Sequence, residues 1–92
     1  MRIAEVIGRV TLTRSHPSLR GARYVLALPM TADSIGDDSA PKGEEVVAYD
    51  DLGAGPGALI GLSEGAEAAN PFRPEKRPID AYNACLIDRL YL

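Results

Sequence analysis

The chain has 92 residues, of which 46% are hydrophobic and 25% are charged. These proportions are typical of a globular protein and exclude wholesale disorder. A chain of 9.8 kDa can build one domain, residues 1–92, with a modest core. No apolar run approaches the roughly 20 residues that a membrane span needs, and the first residues do not form a signal peptide. The single cysteine excludes an internal disulfide and is typical of a reducing cytoplasm.

The charge balance argues against a nucleic-acid partner. Ten basic residues face 13 acidic residues, which gives a net charge of −3 and a pI near 5.0. Binding to nucleic acid usually needs clustered lysine and arginine. Aromatic residues make up only 5% of the chain and tryptophan is absent. The chain therefore has few aromatic side chains on which bases could stack.

The first predicted element is a strand over residues 2–13. Small or apolar side chains occupy its even positions, beginning with Ala4 and Val6, while several odd positions are polar. This period of two predicts a strand whose even positions form the buried face. Gly8 in the middle of the strand indicates a bulge or a sharp bend, as at the corner of a barrel.

Two further strands follow, separated by a long polar segment. Residues 15–18 form a turn, and the second strand covers residues 24–28 and ends at Pro29. The polar and acidic stretch 31–44 is predicted to be a long surface loop. Residues 45–50 form the third strand.

The second half of the chain combines strands with one short helix. Residues 58–62 form the fourth strand, and the segment after it can hold one or two helical turns, with Ser63 as N-cap and Asn70 as stop. Three prolines within residues 70–78 predict an extended connector. Residues 82–92 fit either a helix or a strand, and the nearby prolines together with the strand count favour a strand.

Five short strands and one short helix define the expected fold class. The chain is predicted to be mainly all-β, as a small five-stranded barrel of the OB type.

Three features could carry chemistry, and each has a simpler interpretation. His16 is the only histidine, and a catalytic or metal site needs partners that the sequence does not provide. Cys85 lies in an apolar strand, where cysteine behaves as a small hydrophobic residue rather than a nucleophile. Asp50 and Asp51 could hold a metal, but adjacent residues at the end of a strand point to opposite faces and begin a turn. We expect no catalytic residues, metal or cofactor.

The glycine-rich segment 53–58 comes close to the G-x-G-x-x-G/A fingerprint of dinucleotide-binding proteins. That fingerprint requires a following helix whose N-terminal amides bind the pyrophosphate. The residues after it are predicted to form a strand, so dinucleotide binding is not favoured. Glycines also permit positive φ and close approach of two backbones, for example the approach of a neighbouring subunit.

Four segments resemble one protein family. The stretch D-D-L-G-A-G-P-G at 50–57 resembles the D-x-(V/L)-G-A-G-x-G loop of the EutN/CcmL family, the pentameric vertex proteins of bacterial microcompartments. Residues 1–10 resemble its opening strand, residues 19–26 its second strand, and residues 78–88 its ending, P-(V/I)-D-A…(I/L)-(V/I)-D. The likeness covers essentially the whole chain in the same order.

This resemblance implies a structural shell protein in the cytoplasm and not an enzyme. Five copies of an OB-like barrel would form a ring that closes a vertex among hexameric shell tiles, with no membrane or nucleic-acid partner. The candidate for lining the axis or the subunit interface is the glycine-rich loop, represented by Asp50, Gly53, Ala54, Gly55, Pro56 and Gly57. Ala58 and Pro56 depart from the usual residues of the family. The alternative is an OB-fold module that binds nucleic acid or a small ligand.

Overall fold

Five strands close into a barrel. A computed structural model describes residues 1–35 and 43–91. The strands are neighbours in the order β1-β2-β3-β5-β4, and β4 pairs with β1 to close the barrel. This arrangement confirms the predicted five-stranded, OB-like fold class. The strands are β1 Arg2–Val10, β2 Tyr24–Pro29, β3 Val46–Tyr49, β4 Leu59–Glu64 and β5 Ala81–Leu86.

One pair of neighbouring strands differs in direction from the others. All neighbouring strands run antiparallel except β3 and β5, which are parallel. A parallel pair cannot be joined by a tight hairpin, and here β4 lies between β3 and β5 in the chain. After β4 the chain passes along a helical segment and a connector, and β5 then enters between β3 and β4.

A bulge interrupts β1 beside Gly8. Val6 lies opposite Ala27, but Gly8 lies opposite Leu26, so one extra residue is inserted between them. The predicted bulge at Gly8 is confirmed. From Ala4 onward the even positions are the more buried ones, but they are fully buried only before the bulge, at Ala4 and Val6, and half-buried after it, as at Val10. The strand also ends at Val10, so its predicted extension to residue 13 is wrong.

Short helical turns lie in both segments that were predicted to be loops. The predicted turn at 15–18 overlaps the 3₁₀ turn Pro17–Leu19. The loop at 31–44 begins with a single α-helical turn, α1 Ala32–Ile35. Gly43 then donates to the carbonyl of Pro29 at 2.8 Å. Residues 36–42 of the predicted loop lie outside the described residues.

The predicted short helix exists but begins and ends later than expected. Ser63 belongs to β4 and is not the N-cap. The 3₁₀ helix Ala66–Phe72 has Gly65 as N-cap, with φ of 81°. Asn70 does not stop the helix, because the helix continues through Pro71 and Asn70 then accepts a hydrogen bond from Arg73 N at 3.1 Å. The predicted extended connector therefore begins after the helix and a turn at 73–75.

The last segment is a strand, as predicted, but a shorter one. β5 ends at Leu86, and Ile87 makes a final hydrogen bond to the carbonyl of Leu59 at 2.8 Å. Since β4 begins at Leu59, no partner strand remains for the residues that follow. Residues 87–91 leave the sheet, and Leu92 lies outside the described residues.

The barrel interior is narrow and consists largely of small side chains. Five of the nine residues in the buried hydrophobic cluster are alanines, and the largest are Ile60 and Leu62. Close-packed interiors leave few voids, so these small alanine side chains let the opposite walls of the barrel lie close together. The cluster consists of Ala4, Val6, Val25, Ala27, Ala48, Ala54, Ile60, Leu62 and Ala81.

An aromatic cluster fastens the helical segment to the barrel. The ring of Tyr49 lies 5.7 Å from that of Tyr24, 5.0 Å from Phe72 and 6.1 Å from Tyr82, between centroids. Arg77 stacks on Phe72 at 4.3 Å and donates to the Tyr49 hydroxyl at 2.9 Å. Burial raises the pKa of the Tyr24 and Tyr82 hydroxyls above the ordinary value for tyrosine.

The narrow core predicts that added volume is tolerated outside the barrel but not inside. Ala27→Leu should lower the free energy of unfolding by about 1–3 kcal/mol, because Ala27 is fully buried against Val6. The same change at exposed Ala84 should alter it by less than about 0.5 kcal/mol. Urea denaturation of both variants measures the difference, and equal effects would contradict the tight packing of the interior.

Candidate functional site: the glycine-rich loop

A buried carboxylate organises the loop that follows β3. Asp50 is 1% exposed. Its Oδ1 accepts from the backbone N–H of Leu52 at 3.1 Å and from Nδ2 of Asn83 at 2.9 Å, while Oδ2 accepts from the N–H of Ala54 at 3.0 Å. These bonds join the end of β3 to β5 and curl the chain into a turn. Residues 50–57 are called the glycine loop below.

Ala54 holds the middle of the glycine loop against the core. It is buried and belongs to the hydrophobic cluster of the barrel. Leu52 is 46% exposed, and the other loop residues after Asp50 are also exposed. The loop is therefore anchored at Asp50 and Ala54, and its remaining residues face solvent in the single chain.

Two glycines are required by the backbone of the loop itself. Gly53 has φ of 77° and Gly57 has φ of 90°, conformations that other residues adopt at a cost. Gly57 N donates to the carbonyl of Val6 at 2.7 Å, and Val6 N donates to the carbonyl of Ala58 at 2.9 Å. These bonds attach the end of the loop to β1.

Gly55 differs from these two glycines. Its φ does not lie in the positive region, and a Cβ built on it would meet no described atom within 4 Å. Nothing within the described part of a single chain requires glycine at this position. A close neighbour outside the chain would require it.

The glycine loop lacks the setting of a phosphate-binding loop. It leads into strand β4, not into a helix, so no row of helical N–H groups faces it. The predicted strand after the segment is present, in the place where the dinucleotide-binding fingerprint requires a helix.

The other candidate residues occupy structural positions. His16 is exposed, and its Nδ1 accepts from Ser18 N at 3.1 Å, which caps the 3₁₀ turn. Cys85 packs over Gly61, where an added Cβ would lie 2.5 Å from its sulfur. Asp51 is exposed whereas Asp50 is buried, so the two carboxylates do not converge. The described residues contain no group of three potential metal ligands.

Two residues of this region were not identified from the sequence. Asn83 is fully buried, and its Oδ1 has no hydrogen-bond partner among the described atoms. The sequence signal that could have identified Asn83 is its place as a polar residue within the apolar strand β5. Arg77, which joins the connector to the aromatic cluster, lies in a segment whose prolines predicted only an extended connector.

No helix within the described ranges is long and apolar enough to span a membrane. This finding concerns helices only.

Comparison with known proteins decides the family. The family model described as "Ethanolamine utilisation protein EutN/carboxysome" matches residues 1–88. The chain belongs to the EutN/CcmL family. It is 37% identical over 90 residues to the bacterial microcompartment shell vertex protein PduN of Salmonella typhimurium, with 98% of both chains covered. It is 35% identical over 92 residues to the carboxysome shell vertex protein CcmL of Nostoc sp., covering 100% of this chain and 87% of the relative.

Solved structures of the EutN/CcmL type have the same fold. The GrpN pentameric microcompartment shell protein from Rhodospirillum rubrum superposes with a TM-score of 0.81 at 27% identity, covering 100% of this chain and 99% of that one. The predicted function, a structural protein of a bacterial microcompartment shell at its vertices, is confirmed by the family and these relatives. The chain is a shell component and not an enzyme, and its predicted location in such a shell is confirmed.

The buried carboxylate predicts a sharp difference between two adjacent aspartates. Asp50→Ala should lower the free energy of unfolding by about 3 kcal/mol, because it leaves the buried amide donors without an acceptor. Asp51→Ala, at an exposed position, should change it by less than about 0.5 kcal/mol. Urea denaturation measures both values, and a small effect at Asp50 would show that the loop does not depend on it.

Proposed function

We propose that five copies of this chain form a ring that closes a vertex of a microcompartment shell, with the glycine loop at the subunit interface near the axis. The GrpN structure is described as pentameric, and the curated relatives are named vertex proteins. These names support the proposal. We further propose that residues 1–92 act as one shell domain.

The distribution of exposed apolar residues supports a ring. A cyclic ring needs two different patches on each copy, because one patch meets another on the next subunit. In the closed barrel, β3 has β2 and β5 as neighbours, so it lies across the barrel from the β1–β4 seam. Val47 on β3 is 47% exposed, and on the other flank Met1 is 79% and Ile7 43% exposed. The two flanks therefore supply two distinct apolar patches.

Closure of the barrel restricts how copies can associate. The strands of the closed barrel pair with one another around the ring, which leaves little unpaired strand edge in the described chain to which another chain could add a strand. We therefore propose that contacts between copies use side chains and loops. The glycine loop suits this role because it is held rigidly by Asp50 and presents Leu52 and the open side of Gly55 outward.

The proposed mechanism is geometric. We propose that the ring sits among hexameric tiles, where a five-fold unit introduces the curvature that a sheet of six-fold units lacks. Such a five-fold unit needs rigid subunits, and the closely packed, alanine-rich barrel is rigid.

The alternative function, an OB-fold module that binds nucleic acid or a small ligand, has less support. Single-stranded binding relies on exposed aromatic rings. Here four of the five aromatic residues pack against one another, and the fifth, Tyr91, follows β5. We propose that the ring has no nucleic-acid partner.

The mass in solution tests the ring. Five copies of the 9.8 kDa chain should give about 49 kDa by light scattering at micromolar concentration. Val47→Glu should lower this mass, because it places a charge in an apolar contact, whereas Thr13→Glu in an exposed loop should not. A monomer or dimer of the unaltered chain would contradict the proposal.

Gly55→Leu tests the place of the glycine loop within the ring. The folded chain has open space at this position, so the free energy of unfolding at a dilution where the unaltered chain is monomeric should change by less than about 0.5 kcal/mol. The ring should be lost or weakened, because the added side chain would occupy the space of the neighbouring copy. Thr13→Leu, at an exposed position, is the matched control. If Gly55→Leu forms an intact ring, the glycine loop does not lie at the interface.

A further inference from the structure

A cavity of about 330 Å³ opens where β1 ends and β2 begins. Its walls include three arginines, Arg9, Arg20 and Arg23, together with the hydroxyl-bearing residues Thr11 and Ser15. None of the described residues that line it is acidic. This is an unusual collection of positive charge in a chain whose net charge is −3.

The fold brings these arginines together from separate segments. The bulge in β1 places Arg9 opposite Val25 at the end of the β1–β2 pair. The 3₁₀ turn and Gly21, with φ of 79°, turn the chain at Arg20. Arg23 immediately precedes β2, and its carbonyl accepts from Asp50 N at 2.9 Å. Each arginine is thus fixed at its backbone by an element of the barrel or by a turn.

The three arginines are exposed, and the described part of the chain gives their guanidinium groups no partner. Within residues 1–35 and 43–91 none of them forms an ion pair or a side-chain hydrogen bond. Two other arginines behave differently, since Arg2 binds Glu64 and Arg77 binds Glu75. Like charges that line one cavity repel each other, and an anion between them would relieve that repulsion.

We propose that this cavity binds a small oxyanion, a phosphate or carboxylate group. The planar guanidinium presents paired N–H donors that match both groups, often in a bidentate manner. Thr11 and Ser15 line the same cavity with hydroxyl donors, and Leu12 and Leu19 supply an apolar wall that strengthens the attraction. The anion comes either from a free small molecule or from a carboxylate of a second copy. The site itself does not depend on the proposed ring.

Titration with inorganic phosphate tests the site. The ³¹P line of phosphate should broaden saturably as the protein is added, at constant ionic strength, with half-saturation at about 1 mM, and acetate should compete for the same site. Arg20→Gln and Arg23→Gln should each weaken binding about tenfold. Arg14→Gln and Arg89→Gln remove equal charge from positions outside the cavity lining and should leave the affinity within about twofold. Urea denaturation of each variant confirms that it is folded.

The outcomes separate a site from general charge attraction. No saturable broadening, or equal weakening by Arg14→Gln and Arg20→Gln, would overturn the proposal. Saturable binding with an unchanged mass by light scattering supports the site and assigns it to a free anion. Saturable binding that lowers the mass measured by light scattering also supports the site. In that case phosphate displaces a neighbouring copy, and the natural occupant is a carboxylate of a second copy. A monomeric chain that still binds phosphate would contradict the ring but not this site.

Discussion

The buried carboxylate of Asp50 is the interaction on which the rest of the structure depends. A charged group at 1% exposure is stable only when its oxygens are satisfied, and here two backbone amides and Asn83 satisfy them. One side chain thereby links β3, β5 and the glycine loop. The parallel pairing of β3 with β5 rests on one described register pair, Tyr49 with Tyr82, so this link reinforces the shortest contact in the barrel.

Rigidity of the loop follows from that anchor and from the narrow core. Ala54 enters the hydrophobic cluster between side chains that are themselves small, so the loop has little room to shift. Gly57 then fastens the far end of the loop to β1. A shell tile must keep its angles fixed under load from its neighbours. The same bonds that fold this chain therefore serve its role in a shell.

The sequence predicted the barrel well where local patterns decide the structure. Alternation and Gly8 predicted β1 and its bulge, and the glycine-rich motif predicted both the turn after β3 and the family. Prediction from the sequence failed where a contact between distant segments determines the local structure. Ser63 looked like a cap, but pairing with Tyr82 on β5 keeps it in β4, so Gly65 became the cap.

Long-range contacts also explain the residues that were missed. Asn83 has no local reason to be buried; its role exists only because β5 lies beside β3 and Asp50. Arg77 sits among prolines and charges that are typical of a solvated connector, yet its guanidinium stacks on Phe72. The bulge beside Gly8 is defined by how β2 aligns with β1. Each of these facts concerns a partner that is remote in sequence.

The proposed interface and the proposed anion cavity share a boundary. Arg23 lines the cavity, its carbonyl binds Asp50 N, and its Nη1 lies 3.7 Å from the position of a Cβ built on Gly53. The Arg23 side chain therefore lies beside the start of the glycine loop, and an anion bound in the proposed cavity would act next to the proposed interface. Because linkage between two binding events is reciprocal, an anion that favours ring assembly would itself bind more tightly to the ring.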